Sequence, residues 1–224
     1  MEELEKIRLA VFDLDGTLID SARQIVLAVN RTREGLQLSN VEKELLKSKI
    51  GLPAKELFSD LSLSRTESDT AVKSFRTHLR AIRLEPSDAF SKSFELLDFL
   101  KVKGMKLAVA TNKPTDLAKI ALKETELLPF FDLVVGGEKL SPKPNPATVA
   151  KCLLHLNQAP SRAVMIGDRL EDMLAASAVN VSAYGVLQGI HNEVELRNAG
   201  AKQIFLSISH LFRKLKEGWN FENI

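Results

Sequence analysis

A single cysteine, Cys152, stands in a chain of 224 residues. This excludes an internal disulfide and a cysteine-based zinc cluster. It lies among Val149, Ala150, Leu153 and Leu154 and reads as a small core residue. Charge of one sign is lacking too: 31 basic against 29 acidic side chains leave +2. That balance argues against a dedicated nucleic-acid or anionic-membrane binder, which needs a concentrated basic surface. Any attraction for an anionic ligand therefore has to come from a local pocket. No apolar run approaches the roughly 20 residues that span a bilayer. The chain opens on the acidic Met1-Glu2-Glu3-Leu4-Glu5, where a secretory signal would be basic. The expectation is a soluble, cytoplasmic protein. A Gly-x-Ser-x-Gly turn and a Walker-type glycine loop are also missing, which disfavours triad hydrolases and P-loop nucleotide hydrolases. The four histidines, at 78, 155, 191 and 210, are scattered and read as surface or satisfied side chains. What is present suffices for a core: 45% of residues are apolar and 27% charged, as in soluble globular proteins.

The organising stretch is Leu9 to Leu18. An apolar run from Ile7 to Phe12 reads as a buried strand and ends in Asp13 and Asp15, followed by Gly16 and Thr17. Carboxylates released from a buried strand onto a turn are candidates for a ligand, a nucleophile or both. Two anions that close repel one another and call for a cation, for which Mg²⁺ with its oxygen ligands is suited.

From Asp20 to about residue 86 the pattern is helical. Ile25, Ala28, Val29 and Thr32 recur at helical spacing, and Gly35 closes that helix. A second helix is expected over 41–49, broken by Gly51-Leu52-Pro53, and a short third over 55–61. Ser64 to Glu67 has the form of a capping box, and Val72, Phe75, Leu79 and Ile82 carry an apolar stripe behind it. From residue 87 strands and helices alternate, with strands expected over 105–110, 131–135, 163–166, 181–184 (weak) and 203–206. Such alternation predicts βαβ units, hence an α/β fold with a parallel sheet and helices on both faces. Ligands of such sheets lie beyond the carboxyl ends of the strands. There the Asp13/Asp15 pair, Thr111-Asn112 and Gly167-Asp168 each follow an apolar strand. Lys143 stands in the proline-rich Ser141-Pro142-Lys143-Pro144-Asn145-Pro146, a rigid non-helical loop. Carboxylates, a hydroxyl and a fixed ammonium at one edge are the parts that bind Mg²⁺ and a phosphoryl group.

On these motifs the chain resembles the haloacid dehalogenase superfamily of hydrolases, over essentially its whole length. Asp13-Leu14-Asp15-Gly16-Thr17 matches the first motif, Thr111 in Ala110-Thr111-Asn112-Lys113 the second, Lys143 the third, and Gly167-Asp168 through Asp172 the fourth. A helical cap between the first two motifs is the arrangement of the phosphoglycolate-phosphatase-like subgroup. The resemblance implies a Rossmann-like core of residues 1–19 and 87–224 with an inserted all-helical cap domain of residues 20–86. It implies Asp13 as the nucleophile that forms an aspartyl-phosphate. Asp15 would be the acid and base that serves the leaving oxygen and then the water. Mg²⁺ would be held by the Asp13 carboxylate, the Asp15 backbone carbonyl and Asp168. Thr111 would donate to a phosphoryl oxygen, and Lys143 would neutralise charge on the nucleophile and the transferring group. Asp172 would orient the metal site or Lys143. Gly16, Thr17, Asn112 and Gly51 are expected against phosphate or substrate, Gly51 in a segment, Ile50 to Pro53, that resembles the specificity loop of related caps.

Lys113 matches a lysine that often follows the second motif in the subgroup, and reads equally as a solvated surface lysine. Glu171 reads as a first-turn acid facing its helix dipole. Arg76, His78, Arg80 and Arg83 form a cationic stretch of the cap that reads first as a solvated face. Asp15 separates phosphoryl chemistry from the dehalogenases, and Thr17 favours a phosphatase over a sugar-phosphate mutase. A catalytically idle relative that binds a partner is the alternative from another class. Two connections depart from the subgroup, Glu85 to Phe90 and Ala178 to Asn180, and both concern turns rather than chemistry. The partner implied is a small phosphorylated substrate: phosphoglycolate, pyrophosphate, a sugar phosphate or a nucleoside monophosphate. No pattern sets an oligomeric state.

Overall fold

The computed structural model describes residues 7–221; the acidic opening, Met1 to Glu5, lies outside them. Strand β1 (Leu9–Phe12) is buried along its whole length, as a strand covered on both faces must be. It lies between β2 (Lys106–Ala110) and β4 (Ala163–Gly167). Strands β3 (Leu133–Val135), β5 (Ser182–Val186) and β6 (Ala201–Phe205) complete a six-stranded sheet of order β3-β2-β1-β4-β5-β6, with every neighbouring pair parallel. The strand order reverses direction at β1, which puts the carboxyl end of β1 at the switch point of the sheet.

Alternation along β1 shows why both faces are dry. Ala10 and Phe12 join one apolar cluster together with residues of α4 (Ser93–Val102), α5 (Thr115–Glu124) and α9 (Ile208–Lys216). Leu9 and Val11 join the other, with α6 (Ala147–His155), α7 (Leu170–Ser177) and α8 (Glu193–Asn198). Cys152 is fully buried in that second layer. Burial pushes its thiol up to about 12.

Between β1 and α4 the chain forms α1 (Ala22–Gly35), α2 (Lys43–Lys47) and α3 (Arg65–Ala81), with no strand longer than an isolated bridge. These helices pack on a third apolar cluster of their own, which includes Ile25, Val29, Leu46, Phe58, Phe75 and Leu79 and reaches Leu117 of α5. The capping box at the start of α3 is present: Ser64 N donates to Glu67 Oε2 at 2.8 Å and Glu67 N to Ser64 Oγ at 3.4 Å. Two expected helices are shorter than their patterns. The second spans five residues, and the third is a 3₁₀ turn over Ala54–Phe58, because Gly51 and Pro53 leave little room for regular turns. The strand read as weak, β5, runs a full five residues. Pairing with β4 and β6 on both sides supplies what its Ser182 and Gly185 lack in strand preference. Among the described residues no helix is long and apolar enough to cross a membrane.

Candidate active site

Three strand ends, those of β1, β2 and β4, and one loop meet at the carboxyl edge of the sheet. Asp13 follows β1 directly, and its backbone N–H donates to Ile166 O of β4 at 2.9 Å. Thr111 follows β2 and is tied by its N–H to Val135 O at 3.0 Å. Asp168 follows β4, and Lys143 enters from the loop ahead of α6. All four side chains belong to buried residues. The backbone ladders of a parallel sheet thus place residues more than a hundred positions apart at one edge.

Lys143 links the cluster. Its Nζ donates to Asp13 Oδ1 at 2.7 Å, Asp172 Oδ1 at 2.5 Å and Ala110 O at 2.9 Å. Burial alone would lower the lysine, but the charges of Asp13 and Asp172 outweigh it and hold the ammonium above its usual range. Asp172 is engaged at both oxygens, since Oδ2 accepts from Arg169 N at 3.1 Å.

The carboxylates outnumber the cation among them. Burial pushes Asp13 up to about 7 despite the pull of Lys143, with Asp172 and Asp15 adding to the rise. Burial likewise raises Asp168 well above the ordinary carboxylate range, helped by the charges of Asp13 and Asp172. Carboxylate oxygens of Asp13, Asp168 and Asp172 all lie within 4.8 Å of one another. Buried, converging oxygens with unbalanced negative charge are the donor set of a hard divalent cation. Because Asp172 is already bonded at both oxygens, Asp13 and Asp168 are the carboxylates best placed to hold it.

Gly16 and Thr17 shape the space around Asp168. Gly16 sits at φ +89°, and a Cβ there would stand 2.6 Å from Asp168 Oδ2, so only glycine lets the carboxylate approach. The Thr17 hydroxyl donates to Asp168 Oδ1 at 2.5 Å. The threonine expected against phosphate therefore holds the neighbouring carboxylate.

Asp15 faces the helical insert. Its Oδ1 accepts from Ser21 Oγ at 2.5 Å and from Lys113 Nζ at 2.6 Å. Lys113 is buried, and the sequence pattern left it undecided between motif and surface. Its position directly after Thr111-Asn112 is the one sequence signal that bears on it, and that signal does not separate the two. Asp15 and Lys113 line a cavity whose other polar walls are Lys49, Arg76 and Asn112, and whose apolar walls include Ile25, Phe75 and Leu117. Of the four candidate cations on the insert, Arg76 lines this cavity, whereas Arg80 pairs with Asp116 and Arg83 with Glu124. Asn112 bridges two loops: Oδ1 accepts from Lys143 N at 2.9 Å and Nδ2 donates to Gly51 O at 3.0 Å. Gly51, at φ +86°, lies over the Asp15 backbone.

This architecture has known counterparts. A family profile of haloacid dehalogenase-like hydrolases matches residues 10–186. The chain is similar to a phosphoglycolate phosphatase of Colwellia psychrerythraea, 31% identical over 224 residues and covering 96% of this chain and 99% of the relative. It is also similar to a pyrophosphatase PpaX of Bacillus velezensis, 31% identical over 183 residues, with 81% and 84% covered. Among solved structures, a predicted phosphatase from Clostridium acetobutylicum superimposes with a TM-score of 0.83 at 30% identity, covering 95% of this chain and 99% of that one. With a profile spanning most of the sequence and relatives alike along nearly their whole length, the chain belongs to the haloacid dehalogenase-like hydrolases.

Proposed function

We propose that the protein is a Mg²⁺-dependent phosphatase that hydrolyses a small, phosphoglycolate-like phosphate monoester through an aspartyl-phosphate on Asp13. The observation that carries this reading is the separation of two buried aspartates onto two different ammonium groups. Asp13 is held by Lys143 among the metal-site carboxylates, and Asp15 by Lys113 beside the cavity. One carboxylate is thereby oriented for attack and the other for proton transfer on the leaving-group side. The names of the relatives support the same reaction class.

In the proposed reaction an Asp13 oxygen attacks phosphorus, the bond from phosphorus to the leaving oxygen breaks, and a proton carried on Asp15 Oδ2, the oxygen not engaged by Ser21 and Lys113, passes to that leaving oxygen. Asp15 then takes a proton from water as the water attacks the aspartyl-phosphate, releasing inorganic phosphate and restoring Asp13. The Thr111 hydroxyl and the Lys143 ammonium bear on the charge of the transferring group. Asp13, Asp168 and the backbone carbonyl of Asp15 would hold the Mg²⁺, which would supply charge neutralisation between nucleophile and phosphate. Thr17 and Gly16 set the position of Asp168, and Asp172 that of Lys143. The helical insert of residues 20–86 acts as a cap, with Lys49, Arg76 and Lys113 around the leaving group.

The test is phosphate release from phosphoglycolate, pyrophosphate, sugar phosphates and nucleoside monophosphates, with Mg²⁺ or chelator, for the wild type and Asp13→Asn. Metal-dependent release lost in Asp13→Asn is the expected result. No release from any of these by a folded, Mg²⁺-loaded protein rejects the phosphatase.

A further inference from the structure

The proposed chemistry gives no task to Arg169, yet its side chain is only 5% exposed. A buried guanidinium needs acceptors for five N–H groups. Glu171 takes Nε at 3.0 Å and Nη2 at 3.5 Å. The remaining donors reach into the helical insert: Nη1 donates to Ile50 O at 2.7 Å, and Nη1 and Nη2 each lie 3.3 Å from Ser48 O. Those carbonyls belong to the turn after α2. From the opposite side Asn112 takes Gly51 O at 3.0 Å. Carbonyls 48, 50 and 51 are therefore all bound by side chains that stand directly beyond β4 and β2, with Asp15 between them.

The turn is shaped for this contact. Gly51 has φ +86°, and a Cβ there would come within 2.9 Å of Arg169 Cδ. The ion pairs between the insert and α5, Arg80 to Asp116 and Arg83 to Glu124, involve exposed arginines and so contribute little, and the hydrogen bond from Leu84 N to Glu124 Oε2 at 3.0 Å lies far along the chain from the 48–51 turn. A guanidinium is the group the arrangement requires, because its planar fork addresses two carbonyls while Nε faces Glu171.

We propose that Arg169 is a positioning residue that latches the 48–51 turn onto the catalytic edge, with Glu171 orienting the guanidinium. The latch fixes Lys49 and Ile50 as walls of the cavity beside Asp15. Only the kinetic arm of its test rests on the phosphatase reading. A substrate whose leaving group needs the cavity and Asp15 depends on the latch. A small acyl phosphate, whose good leaving group needs neither the cavity walls nor an acid and whose turnover uses Asp15 only as the base toward water, does not.

The experiment uses the full chain with Mg²⁺ and the variants Arg169→Met, Arg169→Lys and Glu171→Gln. Amide hydrogen exchange is measured without substrate, and steady-state kinetics with phosphoglycolate and with acetyl phosphate. In Arg169→Met, exchange over residues 48–57 rises at least ~5-fold and stays unchanged in β4 and α7. KM for phosphoglycolate rises at least ~10-fold, while kcat for acetyl phosphate stays within ~3-fold of the wild type. Arg169→Lys restores little, and Glu171→Gln falls between. Unchanged exchange over 48–57 overturns the latch. So does an equal loss on both substrates with faster exchange in β4, which would make Arg169 a support of Asp168 alone. If the wild type hydrolyses neither compound, the phosphatase reading falls while the exchange measurement still decides the latch.

Discussion

Lys113 Nζ lies 2.6 Å from Asp15 Oδ1, and the two side chains are 5% and 6% exposed. This ammonium, 98 residues further along the chain, is what lets a second aspartate sit buried beside Asp13. Removing one member of a buried pair leaves the other charge unpaired, at about 3–5 kcal/mol. Lys113→Met is therefore expected to lower the melting temperature, at about 2–4 °C per kcal/mol for a chain of this size. It also removes a cation from the cavity, so KM for an anionic-ended substrate such as phosphoglycolate rises at least ~10-fold. Calorimetry and initial rates check the two effects separately.

Mg²⁺ binding and pH should be linked. Burial raises Asp13 to about 7 and lifts Asp168 well above its usual range. Between about pH 4 and pH 7 the native chain thus binds more protons than the unfolded one, and without metal its stability falls as pH rises through that window. Cation and protons compete for the same oxygens. The gain in melting temperature from Mg²⁺ should be larger at about pH 8 than at about pH 5, and smaller at both in Asp13→Asn. Equal gains at the two pH values would rule out this linkage.

Gly16→Ala tests the close approach to Asp168. The new Cβ would stand 2.6 Å from Asp168 Oδ2 at a φ of +89°, so the carboxylate must move. A displacement near 1 Å can cost on the order of 10²-fold in rate. Activity should fall by about that factor and half-saturation by Mg²⁺ should rise, with the circular dichroism spectrum unchanged. Wild-type rates in this variant would show that Asp168 tolerates another position.

Cys152 offers a probe of opening. Its thiol is fully buried and pushed up to about 12, so thiolate is scarce and inaccessible in the native state. A disulfide reagent should label the native protein only at the rate of unfolding and the denatured protein at once. Immediate labelling of the native protein would place Cys152 in a mobile layer.

The sequence by itself determined the α/β alternation and where the strands end. An apolar run followed at once by a polar residue marks a strand leaving the core. Parallel pairing then brings every such end to the same edge, so Asp13, Thr111 and Asp168 could be grouped before any contact was known. The tertiary structure decided the partners. That Thr17 serves Asp168, that Lys113 is buried against Asp15, and that Arg169 holds the carbonyls of Ser48 and Ile50 depend on which distant segment covers each group. A lysine or arginine next to a motif carries the same local pattern whether solvent or a buried carboxylate faces it. Periodicity records which residues avoid water, whereas an ion pair depends on distances across the fold that no local pattern encodes.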